Sequence, residues 1–371
     1  MTTATASPPV KASNLDNLTL SRKEGWRDFT EAPKRECPEV LSKSQIRRLS
    51  GAAADIYNQQ RTDWHDNLGP FKTPQLAALH DDLWDIIDSN AQDGNHAKGA
   101  VALSGYPGLG KTTAVEAFAK DFHRREIRRH GEFTRAGDER WPVCRIGMTG
   151  NTSMKDFNRA MCHFYAHPGR SGSTDELGRR ALDNVLHCET RLLIIDDLHF
   201  LHWQHRGGIE INNHFKYIAN DFPVTLLSIG VGLKERGLLI EDYSYDELLA
   251  QTARRTTLLE MRPYEIDTER QRRDWRNLLT TIEQRLVLGA KHRGMLAEEL
   301  SDYLFIRSTG HIGSLMDLLR RGCARAIRTR TESLTQKLLD TIRIDSAAEQ
   351  ARRALAVSFR TRKKTTKVQL Q

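Results

Sequence analysis

Beyond residue 97 the sequence alternates short apolar, β-branched runs with longer amphipathic ones, and this alternation restricts the folds open to the chain. Strands that alternate with helices pair in parallel, because a helix carries the chain back to the start of the next strand. Apolar strands of this kind are covered on both faces of the sheet. The predicted strands are Gly99 to Ser104, Val143 to Met148, Leu192 to Asp196, Val224 to Ile229 and Thr257 to Met261. The predicted helices between them lie at about 111–130, 153–166, 175–189, 209–221 and 245–255.

The strand pattern stops after about residue 265, and helical patterns follow at 268–290, 294–307, 311–329 and 332–343. The predicted organisation is therefore an α/β protein with a separate helical subdomain. An N-terminal extension, partly disordered, covers 1–55, and the α/β core with a preceding helical segment covers 56–265. The helical subdomain covers 266–345, and a basic, flexible tail covers 346–371.

The charge of the chain is concentrated at its C-terminal end. The formal net charge is +8, and the segment from Ala351 onward holds seven Lys or Arg and no acid. The remaining residues include 49 basic and 48 acidic ones, a net charge of +1. Such a tail is typical either of polyanion binding or of a solvated terminus.

Two observations bear on location. No apolar run approaches the roughly 20 residues that span a bilayer, so no membrane association is expected. The opening residues, MTTATASPPVKAS, are polar and lack the apolar core of an export signal, so a cytoplasmic protein is expected.

The segment SGYPGLGKTT follows the first strand and opens the first helix, in the pattern GxxxxGK[ST]. Glycines at these spacings let backbone N–H groups turn toward a polyphosphate, and the helix N-terminus adds its positive dipole. Lys111 is expected to reach the β- and γ-phosphates of ATP and Thr112 to ligate Mg²⁺, with Thr113 near the α-phosphate. A chance glycine-rich turn is the alternative. The predicted nucleotide-binding residues are Gly105, Pro107, Gly108, Gly110, Lys111, Thr112 and Thr113.

The segment LLIIDDLHFLH runs an apolar strand into two adjacent carboxylates, which repel each other unless a cation is near. Asp196 ends the strand and is predicted to hold the Mg²⁺ together with Thr112. Asp197 is predicted to polarise the attacking water as a general base. An ordinary cap or turn explains one of these aspartates but not both. A glutamate is commoner at the second position, so slow hydrolysis is expected.

Several spans form a more specific pattern than the glycine motif alone: RIGMTGNTSMKDFNRAMCHFYAHPG, LLIIDDLHFLHW, INNHFKYIAND, VTLLSIGVG, LLAQTARRTTLLEMRPYEID and STGHIGSLMDLLRRGCARAI. These spans resemble the TniB/TnsC group of AAA+ transposition ATPases, and the last of them is similar to that group's lid helix. The upstream piece YNQQRTDWHDNLGPFKTP is also similar to that group, and the resemblance covers about residues 56–330. The chain departs from the family pattern at two positions. After the fourth strand, where a polar sensor residue is usual, the chain has no polar side chain, and Ser228 is the nearest one. At the second position, His311 stands where many AAA+ proteins have arginine.

This resemblance implies an AAA+ fold with a five-stranded parallel sheet and a C-terminal helical lid. It also implies a homo-oligomeric ring or filament on duplex DNA that recruits and activates a transposase, with a targeting adaptor as a further partner. A neighbouring subunit then supplies an arginine to the γ-phosphate, for which Arg255 and Arg254 are the candidates. Alternatively, these two arginines only stabilise the C-terminus of the preceding helix, where the helix dipole favours positive charge.

The predicted DNA contact lies in TGNTSMKD, after the second strand. Thr152 and Lys155 are candidates for phosphate contacts, whereas Ser153 is equally explained as a helix N-cap. The chain is therefore expected to be a slow, regulatory ATPase that uses ATP and Mg²⁺ and binds DNA largely without sequence preference. The alternatives are a nucleotide-switch signalling or defence ATPase and an initiator or helicase-loader type of AAA+ protein.

Overall fold

This computed structural model describes residues 17–92, 98–148, 152–169, 171–198, 220–233, 255–361 and 364–368, together with residues 215, 217 and 218. Most of the predicted helix at 245–255 and most of the one at 209–221 lie outside these residues. The chain divides into two compact units. The sheet unit comprises Met1–Pro33, His80–Ser104 and Val115–Glu260, and the helical unit comprises Lys34–Leu79, Gly105–Ala114 and Met261–Gln371.

Five parallel strands form the sheet in the order β2-β3-β4-β1-β5. Their bounds are β1 Ala100–Ser104, β2 Val143–Gly147, β3 Leu192–Asp196, β4 Thr225–Gly230 and β5 Thr256–Glu260. The predicted strands are thus confirmed to within one residue at each end. Every residue of β3 and β4 is buried, as expected of central strands in a parallel sheet.

Helices flank these strands in the chain. They are α1 (Lys23–Glu31), α2 (Lys43–Arg48), α3 (Gly51–Asp66), α4 (Pro74–Ser89), α5 (Lys111–His130), α6 (Met154–Phe164) and α7 (Thr174–His187). Ser153 caps α6 by accepting a hydrogen bond from the backbone N–H of Asp156, whose carboxylate returns the contact. The N-cap interpretation of Ser153 is therefore confirmed. Within the predicted N-terminal extension, α1 buries the whole of Trp26, whose indole N–H donates to Nδ1 of His123 over 3.2 Å.

The register of the sheet fixes which residues share an edge. Ser104 at the end of β1 pairs with Gly230 at the end of β4, and Asp196 at the end of β3 pairs with Gly147 at the end of β2. Since β4 alone separates β1 from β3, the ends of these two strands lie about 10 Å apart. The carboxyl ends of these strands therefore form one edge of the sheet.

The helical unit encloses its own apolar core, in which Trp275 and Leu319 are fully buried. Its later helices are α8 (Glu269–Arg285), α9 (Ser301–Ser308), α10 (Ile312–Arg328), α11 (Gln336–Leu339) and α12 (Ser346–Arg360), with a π-helix over Met295–Glu299. Arg61 of α3 is fully buried and forms an ion pair of 2.6 Å with Glu332. The helical segment that precedes the phosphate-binding motif therefore packs within this unit.

The C-terminal segment differs from the flexible tail that its composition predicted. Residues Ser346–Arg360 form α12, and the Phe359 ring lies 6.1 Å from that of Phe305. Buried Arg307 donates to Glu349 over 2.8 Å, and the backbone N–H of Thr366 donates to Asp302 over 2.8 Å. Apolar and charged contacts of this segment with Phe305, Arg307 and Asp302 hold it to the helical unit. The prediction of a flexible tail rested on the number of basic residues and did not consider these contacts.

Candidate functional site

The loop between β1 and α5 has a backbone that requires glycine at two positions. Gly108 and Gly110 have φ angles of +74° and +79°, a region that residues with side chains rarely adopt. Gly105 is required for a different reason, because a Cβ there would lie 2.5 Å from the carbonyl oxygen of Met261. Successive residues of this kind turn backbone N–H groups into a concave anion-binding surface. The glycines of the motif are therefore conformational requirements and not a chance run.

Lys111 begins α5, and its side chain is folded into this loop. The residue is only 9% exposed, and its Nζ donates to the carbonyl oxygens of Gly105 over 2.7 Å and Tyr106 over 2.8 Å. Both acceptors belong to the loop itself. The ammonium group is thus held against the glycine turn, where a phosphate oxygen would meet it.

The other predicted nucleotide-binding residues adjoin Lys111. Thr112 and Thr113 are the second and third residues of α5, with Thr112 partly buried and Thr113 exposed, and Pro107 is exposed in the loop. The first turn of a helix offers N–H groups without intrahelical partners and a positive dipole end. The structure therefore brings together all seven residues that the motif predicted.

An apolar cavity lies beside the phosphate loop within the helical unit. Its walls are mainly apolar and aromatic, with a few polar side chains, as in most sites for flat organic ligands. Residues from four separate parts of the sequence line it: Leu68, Phe71, Leu109, Met261, Tyr264, Ile312 and Met316, with Thr73, Gln75, Thr113 and Arg320. No sequence pattern predicted this cavity, although Leu68 and Phe71 lie in the upstream segment YNQQRTDWHDNLGPFKTP. Its position next to the loop and its lining suit a nucleobase.

The N-terminus of α10 contacts the phosphate loop directly. The backbone N–H of Gly313 donates to the carbonyl oxygen of Gly108 over 2.8 Å. A Cβ on Gly313 would lie 2.7 Å from that oxygen, so only glycine permits this approach. His311 is the N-cap residue of α10, and its Nδ1 lies 3.1 Å from Thr309 Oγ1. Helix α10, the lid helix, thus contacts the loop through backbone atoms, without the arginine common at the position of His311.

Asp196 has a cationic partner in the sheet unit that the sequence did not reveal. It is 5% exposed, its Oδ2 accepts from Arg145 Nη2 over 2.8 Å, and its Oδ1 accepts from the Asp197 backbone N–H over 3.0 Å. The same Arg145 nitrogen lies 3.0 Å from Glu116 Oε1. The pKa of the Glu116 carboxyl is raised above its ordinary value, mainly by burial. The positive charge of Arg145 opposes this shift, and the negative charge of Asp196 adds to it. The only sequence signal for this cluster was one arginine inside the otherwise apolar strand VCRIG.

Asp197 is placed differently from its neighbour. It is exposed, lies one residue beyond β3, and has a φ of 62°. Aspartate is one of the few residues that tolerate this left-handed conformation. The two acids of the motif therefore have separate environments, one buried and paired and the other at the surface of the same sheet edge.

Arg255 lies at the other end of the sheet. It directly precedes β5, whose first residue Thr256 pairs with Ala100 at the start of β1. The length of a five-residue strand, about 13 Å, separates it from the edge that carries Asp196. Arg255 is exposed, and its Nη1 donates to Asn220 Oδ1 over 2.8 Å. The second candidate, Arg254, lies outside the described residues.

The sheet order and the glycine loop with its lysine define a P-loop fold of the AAA+ class. In agreement, residues 94–238 match the family model of the AAA domain. No curated protein sequence matches the chain. In the part of the chain that the structure describes, no helix is long and apolar enough to cross a membrane.

Solved structures of two ORC proteins and one Cdc6 protein share this fold. The ORC2 protein of Aeropyrum pernix, in its ADPNP–ADP complexes, has a TM-score of 0.53 at 13% identity, covering 78% of this chain and 71% of its own. The ORC1 protein of Aeropyrum pernix in complex with DNA has a TM-score of 0.51 at 18% identity, covering 82% and 71%. Cdc6p from Pyrobaculum aerophilum has a TM-score of 0.50 at 12% identity, covering 80% and 83%. The expected α/β AAA+ fold is therefore confirmed.

Proposed function

We propose that the protein is a slow, regulatory ATPase that binds duplex DNA and controls DNA transposition by recruiting and activating a transposase. The observation that carries the nucleotide-dependent part is the phosphate loop, which has two left-handed glycines, Gly108 and Gly110, and whose Gly105 and Tyr106 carbonyl oxygens accept hydrogen bonds from the Lys111 ammonium group. The transposition part rests on the resemblance of the motif-bearing spans to the TniB/TnsC group.

The nucleotide would be held by the residues of the helical unit. The loop from Gly105 to Gly110 and the Lys111 ammonium group bind the phosphates, and the apolar cavity that includes Tyr264 receives the base. Oxygen ligands suit Mg²⁺, and the predicted ligands, the Thr112 hydroxyl and the Asp196 carboxylate, would supply them. When bound, the magnesium ion neutralises charge that develops on the phosphate oxygens.

The residues proposed for hydrolysis are Asp197 and Arg255. Asp197 accepts a proton from the attacking water and orients that water toward the γ-phosphate. Arg255 precedes the amino end of β5, away from the edge at which its own β1 and β3 end, so it would serve the site of a neighbouring subunit. A guanidinium group there stabilises the charge of the transferring phosphoryl group. Binding of ATP would thus favour assembly, and hydrolysis would favour release.

Duplex DNA is the proposed polyanionic partner, bound mainly through phosphate contacts. Lys155 lies in the first turn of α6, and Thr152 immediately precedes the N-cap residue Ser153. The ORC1 protein, which shares the fold, was solved in complex with DNA. Contacts of this type position a protein on the duplex without reading its sequence.

The first test measures ATP hydrolysis with and without random-sequence duplex DNA at two salt concentrations. We expect slow turnover that DNA stimulates at low salt and less at high salt, because phosphate contacts release counterions. Negative-stain microscopy with a non-hydrolysable ATP analogue should then show rings or filaments on the DNA. Nucleotide-dependent assembly that ignores DNA would instead favour a signalling or defence ATPase.

An initiator-type role is the second candidate, and the similarity in fold to the ORC and Cdc6 structures favours it. The two roles predict different DNA binding. A transposition regulator should cover random duplexes in proportion to their length and retain a recombinase-type transposase encoded beside its gene. An initiator should instead protect discrete sites and retain no transposase.

A further inference from the structure

Asp196, Arg145 and Glu116 form a compact charged cluster inside the sheet unit. One guanidinium nitrogen of Arg145 lies 2.8 Å from Asp196 and 3.0 Å from Glu116. The side chains of Asp196, Arg145 and Glu116 are 7%, 14% and 20% exposed. The three residues come from three different elements: Asp196 from β3, Arg145 from β2 and Glu116 from α5.

The strand register explains why Arg145 reaches Asp196. Arg145 pairs with Ile194 on the neighbouring strand β3. Alternate residues of a strand share a face, so Ile194 and Asp196 project from the same side of the sheet. Arg145 therefore emerges on the face that carries the Asp196 side chain.

The cluster also fixes both oxygens of Asp196. Its Oδ1 is oriented by the backbone N–H of Asp197, and its Oδ2 by the guanidinium group of Arg145. A nearly buried carboxylate without a cation is costly, and one facing a polyphosphate would also repel it. Arg145 offsets both effects whether or not a metal ion is present.

Building on the proposed ATP binding, we propose that Arg145 is a positioning residue that serves as the resident counter-cation of Asp196. It balances the charge of the metal-binding acid and keeps that acid oriented without Mg²⁺, and it shields the nucleotide phosphates from it. Nucleotide binding therefore depends less on Mg²⁺ than it would with Asp196 unpaired. The role of Arg145 is distinct from that of Lys111, which contacts the phosphate loop.

The test compares the dissociation constant of a fluorescent ATP analogue in Mg²⁺ with that in EDTA. Arg145→Gln should increase the EDTA-to-Mg²⁺ ratio of these constants by about tenfold, because Mg²⁺ replaces the lost cation. Arg145→Lys, which retains a charge, should give a smaller increase. Glu116→Gln is the matched control, because it removes the second carboxylate partner of Arg145 and keeps the pair with Asp196. The EDTA-to-Mg²⁺ ratio of this variant should not exceed that of the unaltered protein.

A double-mutant cycle in ligand-free protein tests the pair separately. Chemical unfolding should show that Arg145→Gln lowers the unfolding midpoint and that adding Asp196→Asn recovers part of the loss. An unchanged ratio in Arg145→Gln protein that still binds the analogue would overturn the role of Arg145 and leave the proposed function standing. If the unaltered protein binds no analogue in either buffer, both proposals fail. A cycle without coupling would also overturn the pairing.

Discussion

The backbone N–H of Gly313 donates to the carbonyl oxygen of Gly108, so the first turn of the lid helix meets the phosphate loop without an intervening side chain. Both partners are glycines, and each is required for its own reason: Gly108 by its left-handed φ, and Gly313 by the closeness of the approach.

Gly313→Ala should separate the lid helix from the loop, because the added Cβ would lie 2.7 Å from Gly108 O. We expect the free energy of unfolding to fall by about 1–3 kcal/mol, as for overpacked sites, and ATP affinity to fall as well. Chemical unfolding and nucleotide titration measure the two effects. Gly51→Ala is the control: nothing lies within 4 Å of its added Cβ, so it should not destabilise the protein. Equal behaviour of the two variants would contradict the importance of the contact.

Lys111→Met should reduce ATP affinity by about 100-fold, or about 3 kcal/mol, because a charge-assisted contact to the phosphates is lost. Isothermal titration calorimetry measures the change. Lys120→Met, on the same helix, is a matched control because the Lys120 Nζ lies over the Phe29 ring, 4.6 Å from its centroid. Its ATP affinity should remain near that of the unaltered protein. Retained binding by Lys111→Met would remove the loop from the proposed site.

Asp197→Asn should retain ATP binding and lose most hydrolysis, a fall of about 100-fold or more for a missing general base. Asparagine tolerates a φ of 62°, so the change removes the charge with little backbone strain. Glu189→Gln neutralises another exposed acid with a left-handed backbone, of φ 49°, and should leave turnover unchanged. Unchanged turnover in Asp197→Asn would exclude Asp197 as the base.

Arg255→Ala should lose hydrolysis while binding ATP normally, because the arginine would act in a neighbouring site. Mixing this variant with Lys111→Met provides the decisive measurement. Each protein lacks a different component, so mixed assemblies contain some complete sites, and the mixture should hydrolyse ATP faster than either variant alone. A mixture no faster than its components would argue against an arginine acting between subunits.

Stability should fall in acid partly through His65. Burial is the main reason why its pKa is lowered from 6.5 to about 4, and its Nε2 accepts from the Val287 backbone N–H over 2.9 Å. The unfolded chain takes up the proton first, so the stabilisation is complete above about pH 6.5 and is lost as the pH falls toward 4. The predicted loss is about 3 kcal/mol. Unfolding curves for the unaltered protein and His65→Gln from pH 7 to 4 should converge, whereas parallel curves would contradict this assignment.

The strands of the sheet and the glycine loop could be predicted from the sequence, because the patterns that indicate them lie within a few neighbouring residues. An apolar run such as Leu192 to Ile195 bounded by charge, or a glycine turn before Lys111, is visible within ten residues. The role of Arg145 was not visible, because a single arginine in a strand gives no indication of which neighbouring strand supplies its partner.

Contacts between distant segments account for the other differences. The cavity beside the loop joins Leu68, Tyr264 and Ile312, which are separated by up to 244 residues in the chain. The C-terminal helix α12 is held by Phe359 and by the Arg307–Glu349 pair, whereas its composition emphasised only charge. Apolar spacing within that segment was the better guide to its structure.

With Arg255 at the amino end of β5, the proposed activity would depend on the size of the assembly. In the proposed arrangement Arg255 of one chain completes the site of the next chain, so complete sites would form at junctions between chains and not within single chains. An open filament would then have one fewer complete site than it has subunits, a closed ring would have as many sites as subunits, and a single chain would have none. Turnover per chain would rise with filament length and reach its limit on ring closure.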